Sequence, residues 1–133
     1  MANEAVLIFE TAPAIPFTVD NATGIEKGSL LKMTDPMTAI INSGIDDVPA
    51  GIAKTEKIAS DGNTKLAVYR AGIFRVQLSG SCTVGDALAL GATANDVYTA
   101  DVNDENIIGT ALETGTNNET ILMELNPRSN NLA

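Results

Sequence analysis

The chain contains no histidine, and that absence excludes more chemistry than any residue present suggests. Without an imidazole it lacks the commonest general base near neutral pH, and neither a Ser-His-Asp nor a Cys-His nucleophile can be assembled. Cys82 is the only cysteine, so no internal disulfide forms, and the usual structural zinc sites lack their ligands. It reads as a buried or half-buried structural thiol. Gly80-Ser81-Cys82-Thr83-Val84-Gly85 has the glycine spacing of a phosphate loop, but Asp86 stands where the phosphate-binding lysine is needed. A carboxylate there repels phosphate, and the motif is rejected. Asp101, Asn103 and Glu105 copy the alternating oxygens that open a calcium loop, yet Asn106 replaces its glycine and Leu112 its bidentate acid, so they read as solvated turn residues. Asp46-Asp47 needs a distant partner to act as opposed carboxylates and is explained as an acidic loop. The triplets at Asn21 and Asn118 match the glycosylation pattern and carry little weight without a secretion signal. The reading is a protein that is not an enzyme and takes no cofactor or metal.

With chemistry set aside, the elements themselves become the informative part. Phe74, Val76 and Leu78 fall on one face of an extended segment and Ile73, Arg75 and Gln77 on the other, the alternation of a half-buried strand. Lys65 to Arg70 is a second such run, with Leu66 and Val68 on one face and Lys65 and Tyr69 opposite. Gly72 between them suits a bulge or tight corner of positive φ, and Val84-Gly85-Asp86 makes another before Ala87 to Leu90. Ser60-Asp61-Gly62-Asn63 reads as a hairpin loop. Further short strands are expected at 17–19, 29–33, 37–41, 97–99, from Ile107, and at 119–125, where Ile121, Met123 and Leu125 face inward. No segment sustains an i, i+3, i+4 apolar stripe, so helix should be scarce. The expected fold is all-β, a compact antiparallel barrel or sandwich of short strands over 17–126, with no internal repeat. Residues 127–133 are too polar to pack and read as a flexible tail.

Residues 1–16 form the most unusual segment. Ala5, Val6, Leu7, Ile8 and Phe9 are apolar on both faces of an extended run, and Pro13 and Pro16 stop any continuation. Such a strand aggregates if left free, so it should add to a sheet edge belonging to its own subunit, a neighbour or another protein. Ile15 and Phe17 would tether this arm to the domain. Removing 1–14 is expected to abolish partner binding and leave the domain folded.

Composition narrows the partners. Seventeen acidic against eight basic residues give a net charge of −9, which repels nucleic-acid phosphates and anionic membranes. Only five residues are aromatic, Phe9, Phe17, Tyr69, Phe74 and Tyr98, too few for an array of base- or sugar-stacking faces. No basic leader or membrane-length apolar run is present, so synthesis in the cytoplasm is the expectation.

The order of the pieces "GIA" from Gly51, "AVYRAGIF" from Ala67, "VGDAL" from Val84 and "IIGTALE" from Ile107, closing on Ile121 to Leu125, resembles the head decoration, or capsid cement, proteins of tailed phages. The resemblance spans roughly residues 16 to 126. It implies an all-β domain, usually a homotrimer, bound to the major capsid protein on the outer surface of the virion shell and stabilising it. The residue reading adds the contact itself: Val6, Leu7, Ile8 and Phe9, with Ile15 and Phe17. The competing reading is a virion-surface recognition module for host glycan or protein, which would need an exposed aromatic cluster.

Overall fold

A computed structural model describes residues 4–45, 47–101 and 106–129. Among them there is no helix, and eleven strands carry the chain: β1 (Val6–Phe9), β2 (Ile15–Thr18), β3 (Leu30–Asp35), β4 (Thr38–Ile41), β5 (Pro49–Ala53), β6 (Lys65–Tyr69), β7 (Gly72–Leu78), β8 (Ala87–Leu90), β9 (Asp96–Thr99), β10 (Asn106–Ala111) and β11 (Thr120–Ser129). The all-β expectation therefore holds. The strand from Gly72 alternates buried and half-buried residues along its whole length, as its sequence dictates.

The strands close into two five-stranded barrels of the same topology. In the first, β2 pairs antiparallel with β6 and parallel with β4, and β4, β3, β5 and β6 follow in antiparallel order. In the second, β7 pairs antiparallel with β11 and parallel with β9, and β9, β8, β10 and β11 follow likewise. The irregular segments repeat as well. The isolated bridge between Ile25 and Lys57 has its counterpart between Cys82 and Gly115. Gly28 N–H donates to Ala53 O at 2.9 Å, and Gly85 N–H to Ala111 O at 2.7 Å. Left-handed backbone recurs at Gly28 and Gly85, Met37 and Asn95, and Ser60 and Asn118. The sequence reading, which finds no internal repeat, is corrected here: the repeat lies in backbone geometry, and the side chains at equivalent positions have diverged.

Closing the barrels gives each strand an inward face, and the first barrel's interior holds Phe17, Val19, Leu31, Leu66 and Val68. Its outward-facing Leu30, Ile52 and Tyr69 are nevertheless buried, because they join the cluster that fills and flanks the second barrel with Phe74, Leu88, Ile108 and Met123. Tyr69, expected opposite the core face, is thus covered by the other barrel and meets Phe74 edge to face at 5.5 Å between ring centroids. The corresponding positions of the second barrel are Ala87 and Thr110, half-buried, and Glu124, exposed. Polar stitches reinforce the seam: the Asn95 side chain accepts from Leu30 N–H at 3.0 Å, and Asn42 Nδ2 donates to Gly91 O at 2.8 Å.

The C-terminal segment differs from expectation. β11 continues through Pro127 and Arg128 to Ser129, with Arg128 opposite Ile107, so pairing with β10 orders residues read as tail. Residues 130–133 lie outside those described, as do Asp46 and the part of the calcium-like turn from 102 to 105.

Candidate functional site

The N-terminal segment is where the structure departs most from an ordinary barrel surface. β1 pairs antiparallel with its own subunit's β7, Val6 opposite Arg75 and Leu7 opposite Phe74. It lies at the end of the sheet order, on the edge of β7 that β9 leaves open at 72–75, and so presents an edge of its own. Of the three possible partners for this arm, the chain by itself uses its own sheet.

Both ends of β1 are fastened. Ahead of it, Ala5 N–H donates to Gly28 O at 2.8 Å, and the Ala5 carbonyl packs where a β-carbon on Gly28 would stand. Gly28 has φ of +87°, so that position needs glycine for its backbone and for this approach alike. Beyond β1, Tyr69 Oη donates to Glu10 Oε1 at 2.7 Å, and this bond with burial raises the pKa of the Tyr69 phenol. Gly72, at φ +135°, is the predicted tight corner, with Phe9 O 3.1 Å from where its β-carbon would be.

Fastening does not hide the strand. Val6 is 58% exposed, Leu7 38%, Ile8 41% and Phe9 64%, four consecutive apolar residues on one edge strand. Ile15, on β2, is also exposed at 37%, whereas Phe17 is 1% exposed in the first barrel's core. Phe17 is thus buried where the expected tether would sit, while Ile15 is exposed. Ala5, the first residue of the apolar run, belongs to the core cluster.

Beside β1 the two barrels leave a groove of about 680 Å³. Val6, Leu7, Ile52 and Phe74 supply apolar walls, and Glu4, Lys27 and Lys54 supply charge. Lys54 Nζ lies 5.9 Å from the centroid of the Tyr69 ring. Glu4 accepts a long bond of 3.4 Å from Asn95 Nδ2. Among the described residues no three His, Cys, Asp or Glu side chains gather into a metal site. Cys82 is buried, donates weakly to Glu113 O at 3.4 Å, and has its thiol pKa raised, chiefly by burial, so it is poorly disposed to act as a nucleophile.

With the exposed edge strand and its groove described, comparison with known sequences names the family. The family described as phage cement protein matches residues 9–125. The chain belongs to the phage cement protein family. This cement protein is accordingly a phage capsid-associated protein, and the resemblance drawn from its strand motifs stands. No curated protein sequence matches it. Among solved structures, it is similar to the crystal structure of the head fiber gp8.5 N base in bacteriophage phi29, at 17% identity and a TM-score of 0.56, covering 84% of this chain and 92% of that one. At that identity the likeness establishes a shared fold.

Proposed function

We propose that this cement protein binds the outer surface of the assembled head shell as a trimer and stabilises the shell through β1. The observation that carries the reading is the exposure of Val6, Leu7, Ile8 and Phe9 on an edge strand whose two ends are fixed. Four exposed apolar residues in sequence suit a partner surface, and an open edge supplies backbone donors and acceptors for an added strand. Ile15, on β2, is an exposed apolar residue as well. Because the strand is held before docking, little ordering entropy opposes the contact.

The mechanism is thermodynamic. A ligand that binds the assembled lattice better than loose capsid subunits stabilises the lattice by mass action. Three copies acting together would convert modest contacts into a long-lived clamp through high effective concentration. Family membership supports the capsid as partner.

The experiment is cosedimentation of the purified protein with undecorated, expanded heads of its source phage, with procapsids alongside. Saturable binding to expanded heads at a stoichiometry divisible by three is the expected result. Binding to neither shell leaves host-surface recognition as the function to pursue.

A further inference from the structure

We infer that the groove beside β1 receives an acidic extended segment of the shell protein, with Lys27 and Lys54 meeting its carboxylates; this rests on the reading that the β1 face docks on the shell. The cations of the chain point to this place. Of eight, six are already engaged: Lys32 with Asp47, Lys57 with Asp61, Arg75 with Glu113, Lys65 with Thr18 Oγ1, Arg70 with Ala50 O and Arg128 with Asn126 O. The two that have no hydrogen-bond or ion-pair partner among the described residues are Lys27 and Lys54, and both line this groove. In a chain of net charge −9, two lysines against one carboxylate, Glu4, leave the lining of this groove net positive, with the Lys54 ammonium also over the Tyr69 ring.

The internal repeat shows that the fold does not require them. Lys27 precedes Gly28 as Val84 precedes Gly85, and Lys54 follows Ala53 as Leu112 follows Ala111. The same two backbone positions are therefore apolar in the second barrel, where Val84 and Leu112 are exposed. Lysine at both positions of the first barrel is a property of this groove. The walls accept apolar side chains, the neighbouring strand offers an edge, and the lysines select carboxylates over amines. A segment alternating apolar and acidic residues satisfies all three.

The test compares binding to expanded heads for the wild type, K27E/K54E, K27Q/K54Q and, as a control for net charge, K65E on the exposed start of β6. The inference expects at least a tenfold (~10×) loss for K27E/K54E, a smaller loss for K27Q/K54Q, and near wild-type binding for K65E. Salt should weaken wild-type binding more steeply than that of the glutamine variant. Equal binding by K27E/K54E and wild type overturns the groove assignment while leaving the β1 reading intact, as does an equal loss in K65E. Failure of the wild type to bind removes the shell as partner, and this inference with it. Phosphatidylglycerol vesicles and a duplex DNA oligonucleotide are run alongside; retention of either that K27E/K54E abolishes assigns the lysines to phosphate and overturns the proposal. Circular dichroism confirms that each variant is folded.

Discussion

Ala5 docks on Gly28 backbone to backbone, its N–H donating to the glycine carbonyl at 2.8 Å and its own carbonyl filling the space a side chain would take. Gly85 has nearly the same backbone, with φ of +95° against +87°, but nothing stands within 4 Å of where its β-carbon would be.

This pair separates conformational strain from lost docking. Gly85→Ala should cost about 1 kcal/mol, the penalty of a left-handed alanine. Gly28→Ala carries the same strain and also displaces Ala5, so it should cost at least about 2 kcal/mol. Thermal unfolding measures both, and limited proteolysis should cut within 4–14 in the Gly28 variant alone. Equal melting temperatures for the two variants would show that Ala5 contributes nothing at Gly28.

The role of β1 in binding can be tested without removing it. Val6→Asp and Phe9→Asp change two of its most exposed residues, so stability should move by no more than about 0.5 kcal/mol. Binding to expanded heads should nevertheless fall at least about tenfold, if these side chains enter an apolar contact. These variants replace truncation of 1–14, since Ala5 belongs to the core and its loss would confuse folding with binding.

Asp96 begins β9 beside the seam residue Asn95, with Oδ1 buried and lacking a hydrogen-bond partner among the described residues. Burial raises its pKa, so the folded state holds the proton more tightly than the unfolded chain does. Stability from this group is present in acid and is lost as pH rises through the folded pKa. Asp96→Asn should therefore raise the melting temperature at pH 7, and the gain should vanish below about pH 3.9, the usual value for an unfolded aspartate. A gain that persisted in acid would point to a cause other than the charge.

Lys57 and Asp61 give the opposite slope. Lys57 Nζ is buried and donates to Asn21 O, Ile58 O and, at 2.8 Å, Asp61 Oδ1. The lysine bond, with Asn63 N–H donating to the same carboxylate, holds the Asp61 pKa at about 2. Its contribution is present above the unfolded value and lost as pH falls through 2. Asp61→Asn should flatten the acid limb of the stability profile. Lys57→Met should cost about 1–3 kcal/mol at neutral pH by leaving the Ile58 carbonyl without its donor and Asp61 without its cation, while Asn21 O keeps only the Ser60 N–H. Urea melts across the pH range would show both.

Much of the architecture was legible because inward alternation is written in side chains: Phe74, Val76 and Leu78 could be assigned to one face from sequence alone. What pairs with what was less so, since backbone edges carry no sequence label. Val6 to Phe9 announce a strand that needs an edge, yet nothing local specifies β7. Leu30, Ile52 and Tyr69 point away from their own barrel, and only the second barrel explains their burial. The repeat escaped notice because Lys57 matches Gly115 and Tyr69 matches Glu124. A signal was available in Gly28 with Leu31 against Gly85 with Leu88, and Gly51 with Ala53 against Gly109 with Ala111. Lys27 and Lys54 were missed because an isolated lysine reads as solvated surface until its neighbours are known.

The pairing of β1 with β7 also sets a timetable for the growing polypeptide. Val6 to Phe9 emerge from the ribosome well before Ile73 to Arg75, so the stickiest strand must wait for more than half the molecule before its partner exists. During that delay it is a template for intermolecular pairing, and Leu30, Ile52 and Tyr69 lack their cover as well. Cells overproducing the chain should yield more soluble protein when translation is slow or chaperones are abundant, with inclusion bodies as the failure mode.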